Sequence, residues 1–232
     1  RYLDDAEEQA KKYNLVNPKI EKKDAAQMDF ESEFDLISAV LLLHEVDPLC
    51  LPYVIKNMLR ALKPDGTLVI SDFQGPYEQE EEVVAWSAAD IERLLETICD
   101  EVKVSSEPMP AKKYPEELGF YACYVKESSI DDKKFETFME NYHEFLERKK
   151  NESMDMRNKL RKEIRARVEE IFGRTDIDTK NISDKEIEQI KKGIRDEYGI
   201  KAYKIRLLDS QIIFLDCKMQ DYNRGTKCAG LR

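Results

Sequence analysis

FDLISAVLLLHEVDPLCLPYVIKNMLRALKPDGTLVISDF, residues 34–73, is the stretch on which the fold turns. Residues 34–43 are a near-continuous apolar run rich in aliphatics, the pattern of a strand buried on both faces of a parallel sheet. The run breaks abruptly at His44 and Glu45. Residues 51–62 carry Val54, Ile55, Met58, Leu59 and Leu62 on one stripe at helical spacing. Lys63-Pro64-Asp65-Gly66 ends that helix in a turn whose geometry proline and glycine set. Residues 67–71 then form a second strand, which gives way to Asp72. Strand, helix, strand in this order make a βαβ unit, and such a unit pairs its strands in parallel. Ligands of open parallel sheets sit outside the carboxyl ends of the strands. Two such ends are visible here, at residues 39–45 and 72–74.

Upstream, Leu3, Ala6, Ala10 and Tyr13 recur at helical spacing, and Asn14 with Asn17-Pro18 ends that helix. The pattern is already under way at Arg1, so the natural protein is expected to extend further upstream. Residues 19–23 are a short, highly charged strand candidate, followed by Asp24-Ala25. Downstream of the βαβ unit, residues 78–82 form an acidic tract, read as a solvated loop. Ser87, with Asp90 three residues on, reads as the cap of a helix carrying Ile91, Leu94, Leu95 and Ile98. Residues 101–105 and 120–125 are two further strands, expected to pair antiparallel at a sheet edge. Trp86 reads either as core or as part of a lid.

After Lys126 the texture changes. Phe135, Phe138, Met139, Tyr142, Phe145 and Leu146 mark one amphipathic helix, in which His143 packs among aromatics. Met156, Leu160, Ile164 and Val168 mark a second helix, ended by Gly173. Ser183 and Glu186 form a capping box for a third, closed at Gly199. The alternation Tyr203, Ile205, Leu207, a turn at Asp209-Ser210 and residues 212–215 then read as a terminal β-hairpin. The tail beyond Gln220 is expected to fray. The expected organisation is a partial α/β domain over 1–126 and a mainly helical module over 127–232.

The chain has 38 basic and 48 acidic residues, a formal net charge of −10. Such a surface is not built as a whole to coat nucleic acid. Residues 148–167 are the local exception, with nine basic and three acidic side chains. They lack interleaved aromatics for base stacking, and a solvated helix face is the plainer reading beside RNA binding. The stripe on this helix also suits pairing with a second copy, a homodimer. The five cysteines form no CxxC pair and are odd in number, which reads as a reduced, cytoplasmic protein. No apolar run reaches the ~18 residues of a membrane span. No metal is implied, since no Cys/His cluster has ligand spacing. Neither a Walker sequence nor a Ser-His-Asp arrangement is evident.

Read in order, residues 1–126 resemble the latter two-thirds of a class I S-adenosylmethionine-dependent methyltransferase domain. The resemblance rests on Tyr2-Leu3-Asp4-Asp5-Ala6, on Asp24-Ala25, on Phe34-Asp35-Leu36-Ile37 running to Leu43-His44, on Asp47-Pro48, and on Arg60 to Gly66 leading into Thr67-Leu68-Val69-Ile70-Ser71-Asp72. It implies a Rossmann-like α/β sheet, truncated at its N-terminus, with S-adenosyl-L-methionine as cofactor. By this resemblance Asp24 accepts a hydrogen bond from the adenine amino group and Ala25 contacts the ring through its backbone. Ala39 and Val40 border the cofactor. His44 faces the substrate and is the candidate base; Glu45, Asp72 and Tyr77 line the substrate side. On the residues alone, Asp24 reads equally as a turn cap, His44 as a structural histidine, and Asp72 and Tyr77 as solvated loop.

The chain also departs from the family. None of its eight glycines forms a GxG, so the glycine-rich loop that cradles the methionine end is not in it. Nor is the acidic residue that grips the ribose. No Asn-Pro-Pro-Tyr or Asp-Pro-Pro-Tyr follows residues 34–43; by the resemblance this points away from the amino-directed branch acting on DNA and on some RNA and protein, and towards a small-molecule or unassigned acceptor. The competing readings are an inactive methyltransferase-like scaffold and an RNA-associated protein that uses residues 148–167.

Overall fold

The computed structural model describes residues 2–75, 83–109, 120–126, 129–172, 183–225 and 228. A four-stranded sheet of order β1-β2-β4-β3 lies at its centre. β1 (Phe34–Val40) and β2 (Leu62–Phe73) pair in parallel and are joined by helix α2 (Leu51–Ala61). β4 (Phe120–Lys126) runs antiparallel both to β2 and to β3 (Lys103–Met109). The βαβ unit and the antiparallel edge pair thus stand as the sequence implies. Helix α1 (Tyr2–Lys12) precedes the sheet. Residues 19–23 form no strand; consecutive charged side chains there offer no apolar face to bury.

α2 forms because Leu51, Val54, Ile55, Met58 and Leu59 align on one stripe, and all five are buried against the sheet. Between α2 and the body of β2, the register jumps. Phe34 pairs with Leu62, yet Leu36 pairs with Thr67, so residues 63–66 bulge out of the ladder. Gly66 closes this bulge. A Cβ there would stand 3.0 Å from the carbonyl oxygens of Lys63 and Phe34.

The sheet is covered on one face. Ala39 of β1, Leu68 and Ile70 of β2, and Cys123 and Val125 of β4 are all buried on it. On the other face Leu36 is 61 % and Val40 56 % exposed. β1 is therefore an edge strand with one open face, not the strand buried on both faces that its composition suggests. It is also shorter than residues 34–43. Leu41 turns into the left-handed region at φ 51°, and Leu43–Glu45 form a 3-10 turn.

α3 (Ala88–Ile98) opens with the expected capping box between Ser87 and Asp90 and buries Ile91, Leu94, Leu95 and Ile98. Three helices follow β4: α4 (Asp132–Glu140), α5 (Tyr142–Phe172) and α6 (Asp184–Asn223). The two amphipathic stretches at 135–146 and 156–172 divide at Asn141 instead, so that Tyr142 starts one 31-residue helix. The expected terminal hairpin does not exist. Residues 203–215 lie inside α6, a single helix of 40 residues that also runs through Gly199. Among its described residues the buried positions, Lys204, Leu207, Leu208, Gln211, Leu215 and Met219, recur at helical spacing. Two of the six are polar, which hides the stripe from a reading of hydrophobic residues alone.

These helices share one hydrophobic core with the sheet. Trp86 is fully buried and stacks on Phe145 at 5.9 Å. The Tyr142 hydroxyl donates to the Pro48 carbonyl at 2.6 Å. Asp90 and Lys149, both buried, pair at 2.6 Å. Gln211 accepts the Ala85 amide at 3.0 Å and donates to Ser153 Oγ at 2.6 Å. His143 sits half-buried, tilted on Tyr222 at 6.5 Å. Helix α6 continues past Gln220 to Asn223, while residues 226–227 and 229–232 of the tail lie outside the described residues. Cys228 is buried in a disulfide with Cys50. This overturns the reading of every cysteine as reduced. The two are 178 positions apart yet their Cα atoms lie 4.9 Å apart, a proximity that spacing along the chain cannot reveal. No helix among the described residues is long and apolar enough to cross a membrane.

Two stability predictions follow from this packing. Gly66→Ala should lower the stability read from urea unfolding by ~1–3 kcal/mol, the range for overpacking. Gly193→Ala, where an added Cβ meets nothing within 4 Å, should raise it by ~0.5–1 kcal/mol. The second concerns Asp90. Burial alone would raise its carboxyl, but the Lys149 ammonium and hydrogen bonds from Ser87 outweigh burial and hold it below the ordinary value. Its contribution is then present above the ordinary carboxylate range and lost as pH falls through the lowered value. Lys149→Met removes the cation nearest this buried carboxylate, leaving Ser87 and the more distant Arg93 at 3.7 Å, and should cost about 3 kcal/mol at pH 7. That loss should shrink at pH 4, where the carboxyl can protonate.

Candidate functional site

The carboxyl ends of β1 and β2 meet at Asp72, which is 1 % exposed. Its Oδ2 accepts the amides of Leu43 at 2.9 Å and His44 at 3.2 Å. Its Oδ1 accepts the Phe73 amide at 2.9 Å and lies 2.6 Å from His44 Nδ1. Three backbone N–H groups already use this carboxylate as an acceptor, so Nδ1 carries the proton and donates. Whenever the ring is uncharged, Nε2 is then its basic nitrogen. It faces Glu45, whose Oε1 is 3.8 Å away on a largely exposed side chain. The His44 ring is buried and tilts against Phe73 at 4.8 Å between centroids. The arrangement suits an oriented proton acceptor at the end of a parallel strand pair.

Sequence reasoning missed two neighbours. Tyr121 stands opposite Asp72 across the β2–β4 ladder. Burial pushes its phenol far above the ordinary range, and the Asp72 charge adds to the shift. The Ser71 and Tyr121 hydroxyls are buried with no hydrogen-bond partner among the described residues. The period-2 alternation of residues 120–126 is the only signal that turns Tyr121 inward.

Asp24 is exposed and caps a 3-10 turn at Ala25–Gln27. Its Oδ1 accepts the Ala26 amide at 2.9 Å and its Oδ2 accepts Gln27 Nε2 at 2.8 Å. The Ala25 carbonyl accepts Asn57 Nδ2 at 3.1 Å, which pins this turn to α2. Each Asp24 oxygen keeps a lone pair towards solvent. Ala39 is 2 % exposed and turned into the core, whereas Val40 lies on the open face. The structure joins His44 with Asp72, sets Glu45 beside them, and records no contact of Asp24 or Ala25 with that group. Tyr77 lies outside the described residues.

Burial pushes the thiols of Cys99 and Cys123 up to about 12 and about 11, so neither is a nucleophile near neutral pH. No group of metal-ligating side chains occurs among the described residues. The basic stretch on α5 is largely engaged within the molecule. Lys149 pairs with Asp90 and Lys150 with Asp216, while Arg157 and Arg161 both pair with Asp209.

A family model described as a methyltransferase domain matches residues 1–141. The chain belongs to the methyltransferase domain family. Among solved structures it is similar to a protein of Pyrococcus horikoshii OT3, with 19 % identity over 54 % of this chain and 66 % of that one, at a TM-score of 0.42. A SAM-dependent methyltransferase from Aquifex aeolicus matches at 19 % identity over 54 % and 63 %, TM-score 0.40. The 1,6-didemethyltoxoflavin-N1-methyltransferase of Burkholderia thailandensis, solved with 1,6-didemethyltoxoflavin and S-adenosylhomocysteine, matches at 17 % over 46 % and 49 %, TM-score 0.37. The chain spans between 49 % and 66 % of the length of these three. No curated protein matches it.

Asp72→Ala should orphan the buried amides of Leu43 and His44 and lower stability by about 2–4 kcal/mol at the usual cost of unsatisfied buried groups. Asp72→Asn keeps an acceptor oxygen and should cost less. In nitrogen-15 spectra of the imidazoles, the wild-type protein should show His44 as the Nδ1-protonated tautomer, and Asp72→Ala should lose that preference.

Proposed function

We propose that the chain takes part in methyl transfer from S-adenosyl-L-methionine to a small-molecule acceptor, and that it supplies the adenine side and the acceptor side of the site. The observation that carries this reading is the His44–Asp72 pair at the adjoining carboxyl ends of a parallel β1–β2 unit, in a chain of the methyltransferase domain family. The residues present fit the adenine end of the cofactor: Asp24 is exposed, has lone pairs to offer, and sits on a turn that Asn57 holds fixed. Asp24 and Ala25 would hold the adenine, with Val40 bordering it and Ala39 backing the strand. When bound, the cofactor supplies an electrophilic methyl group on a sulfonium.

The protein's own contribution is positioning and proton handling. Asp72 fixes the His44 tautomer. His44 Nε2 then takes the proton that an acceptor hydroxyl or amine releases as its oxygen or nitrogen gains the methyl group. Glu45 lies beside Nε2 and steadies the imidazolium so formed. The RNA reading is weakened because Asp90, Asp209 and Asp216 hold much of the α5 charge.

Isothermal titration of the natural full-length protein with S-adenosylhomocysteine is the test. Binding is expected, and Asp24→Ala should weaken it about tenfold, the equivalent of one good hydrogen bond. Absence of heat up to millimolar ligand would overturn the reading.

A further inference from the structure

A cavity of about 480 Å³ opens between α2, α4 and α6. That volume falls within the range of small-molecule sites. Its walls include Tyr53, Phe135, Met139 and Tyr222. Tyr53 meets Phe135 edge to face at 5.4 Å. The Tyr222 hydroxyl donates to the Met139 carbonyl, which holds that ring in place. Cys228, tied to Cys50, closes one side of the cavity. Three aromatic rings around one space offer electron-rich surface, and the Tyr222 hydroxyl is already committed to a carbonyl.

Two carboxylates also line this cavity. Glu136 and Glu140 lie one turn apart on α4 and are exposed. Neither makes an ion pair with any described residue. Among the described residues, Lys56 stands over the Phe135 ring at 4.2 Å and is held by Asp132 at 2.5 Å. The described lining thus carries two carboxylates and three aromatic rings. An anionic ligand is repelled here, and a neutral one leaves the carboxylates without a role. A compact organic cation satisfies both features at once, through attraction to the ring faces and to the carboxylates. Inorganic cations suit the site less, because the rings cannot replace their hydration shell.

We infer that this cavity is a binding site for a small organic cation, a protonated or quaternary amine. The inference is independent of the methyl-transfer reading. The probes are choline and its neutral carbon analogue, 3,3-dimethylbutan-1-ol, titrated calorimetrically into the intact, non-reduced protein. Choline should bind on the order of tenfold more tightly than the alcohol, the margin expected when a cation meets aromatic faces. The double variant Glu136→Gln/Glu140→Gln should abolish that preference. Both side chains are exposed, so its urea midpoint should not move. Tyr53→Leu, which removes a ring and keeps bulk, should weaken choline by a similar factor. Equal binding of choline and the alcohol, a choline preference that survives the double variant, or no choline binding by the folded protein up to roughly 50 mM would each overturn the inference.

Discussion

The carboxylate of Asp72 is the constraint on which this arrangement depends. It sits where β2 ends, yet two of its backbone partners belong to the loop that leaves β1. That loop cannot continue as strand and satisfy Asp72 at the same time. Leu41 therefore turns through a left-handed conformation and Leu43–Glu45 coil into a short 3-10 turn. The same carboxylate then orients the one histidine in reach. Loop geometry and proton-acceptor geometry follow from a single buried group, which ties the path into α2 to the end of β2.

The C-terminal helices are bound to this framework by polar contacts as much as by apolar area. Lys149 reaches Asp90 at the start of α3, and Gln211 bridges Ala85 to Ser153. Buried groups of this kind are costly when left unmatched, so they favour one docking of α5 and α6 over its near alternatives. The apolar stripe of α5 packs against α6 of the same chain, with Leu160 buried. The stretch that looks most like a nucleic-acid surface is in large part the internal glue of this helical pair.

Local periodicity explains what could be read from the sequence. The βαβ unit, the Ser87 capping box and the antiparallel edge pair are each built from neighbouring stretches of plain local pattern. The methyltransferase family was legible from the order of short motifs, though none is decisive alone. The errors arise where distant parts of the chain decide. Apolar residues 34–43 cannot say that β1 lies at a sheet edge with Leu36 and Val40 open. The alternation from Tyr203 to Leu207 fits a strand for five residues, while the true period is carried by buried Lys204 and Gln211 as well as by leucines. Asp72 could be picked out as a polar residue at a strand end. Its role as a four-fold acceptor could not, since the partner amides lie 29 and 28 residues away.

The Cys50–Cys228 bond gives the molecule a circular connectivity that encloses β2, β3, β4 and helices α2 to α6 but leaves β1 outside. A ring of that size removes about 5 kcal/mol of freedom from the unfolded chain in the chain-entropy picture. A typical domain has only about 5–15 kcal/mol of net stability. The same sequence is thus two thermodynamic objects, one cyclic and one linear, and the redox poise of its surroundings selects between them.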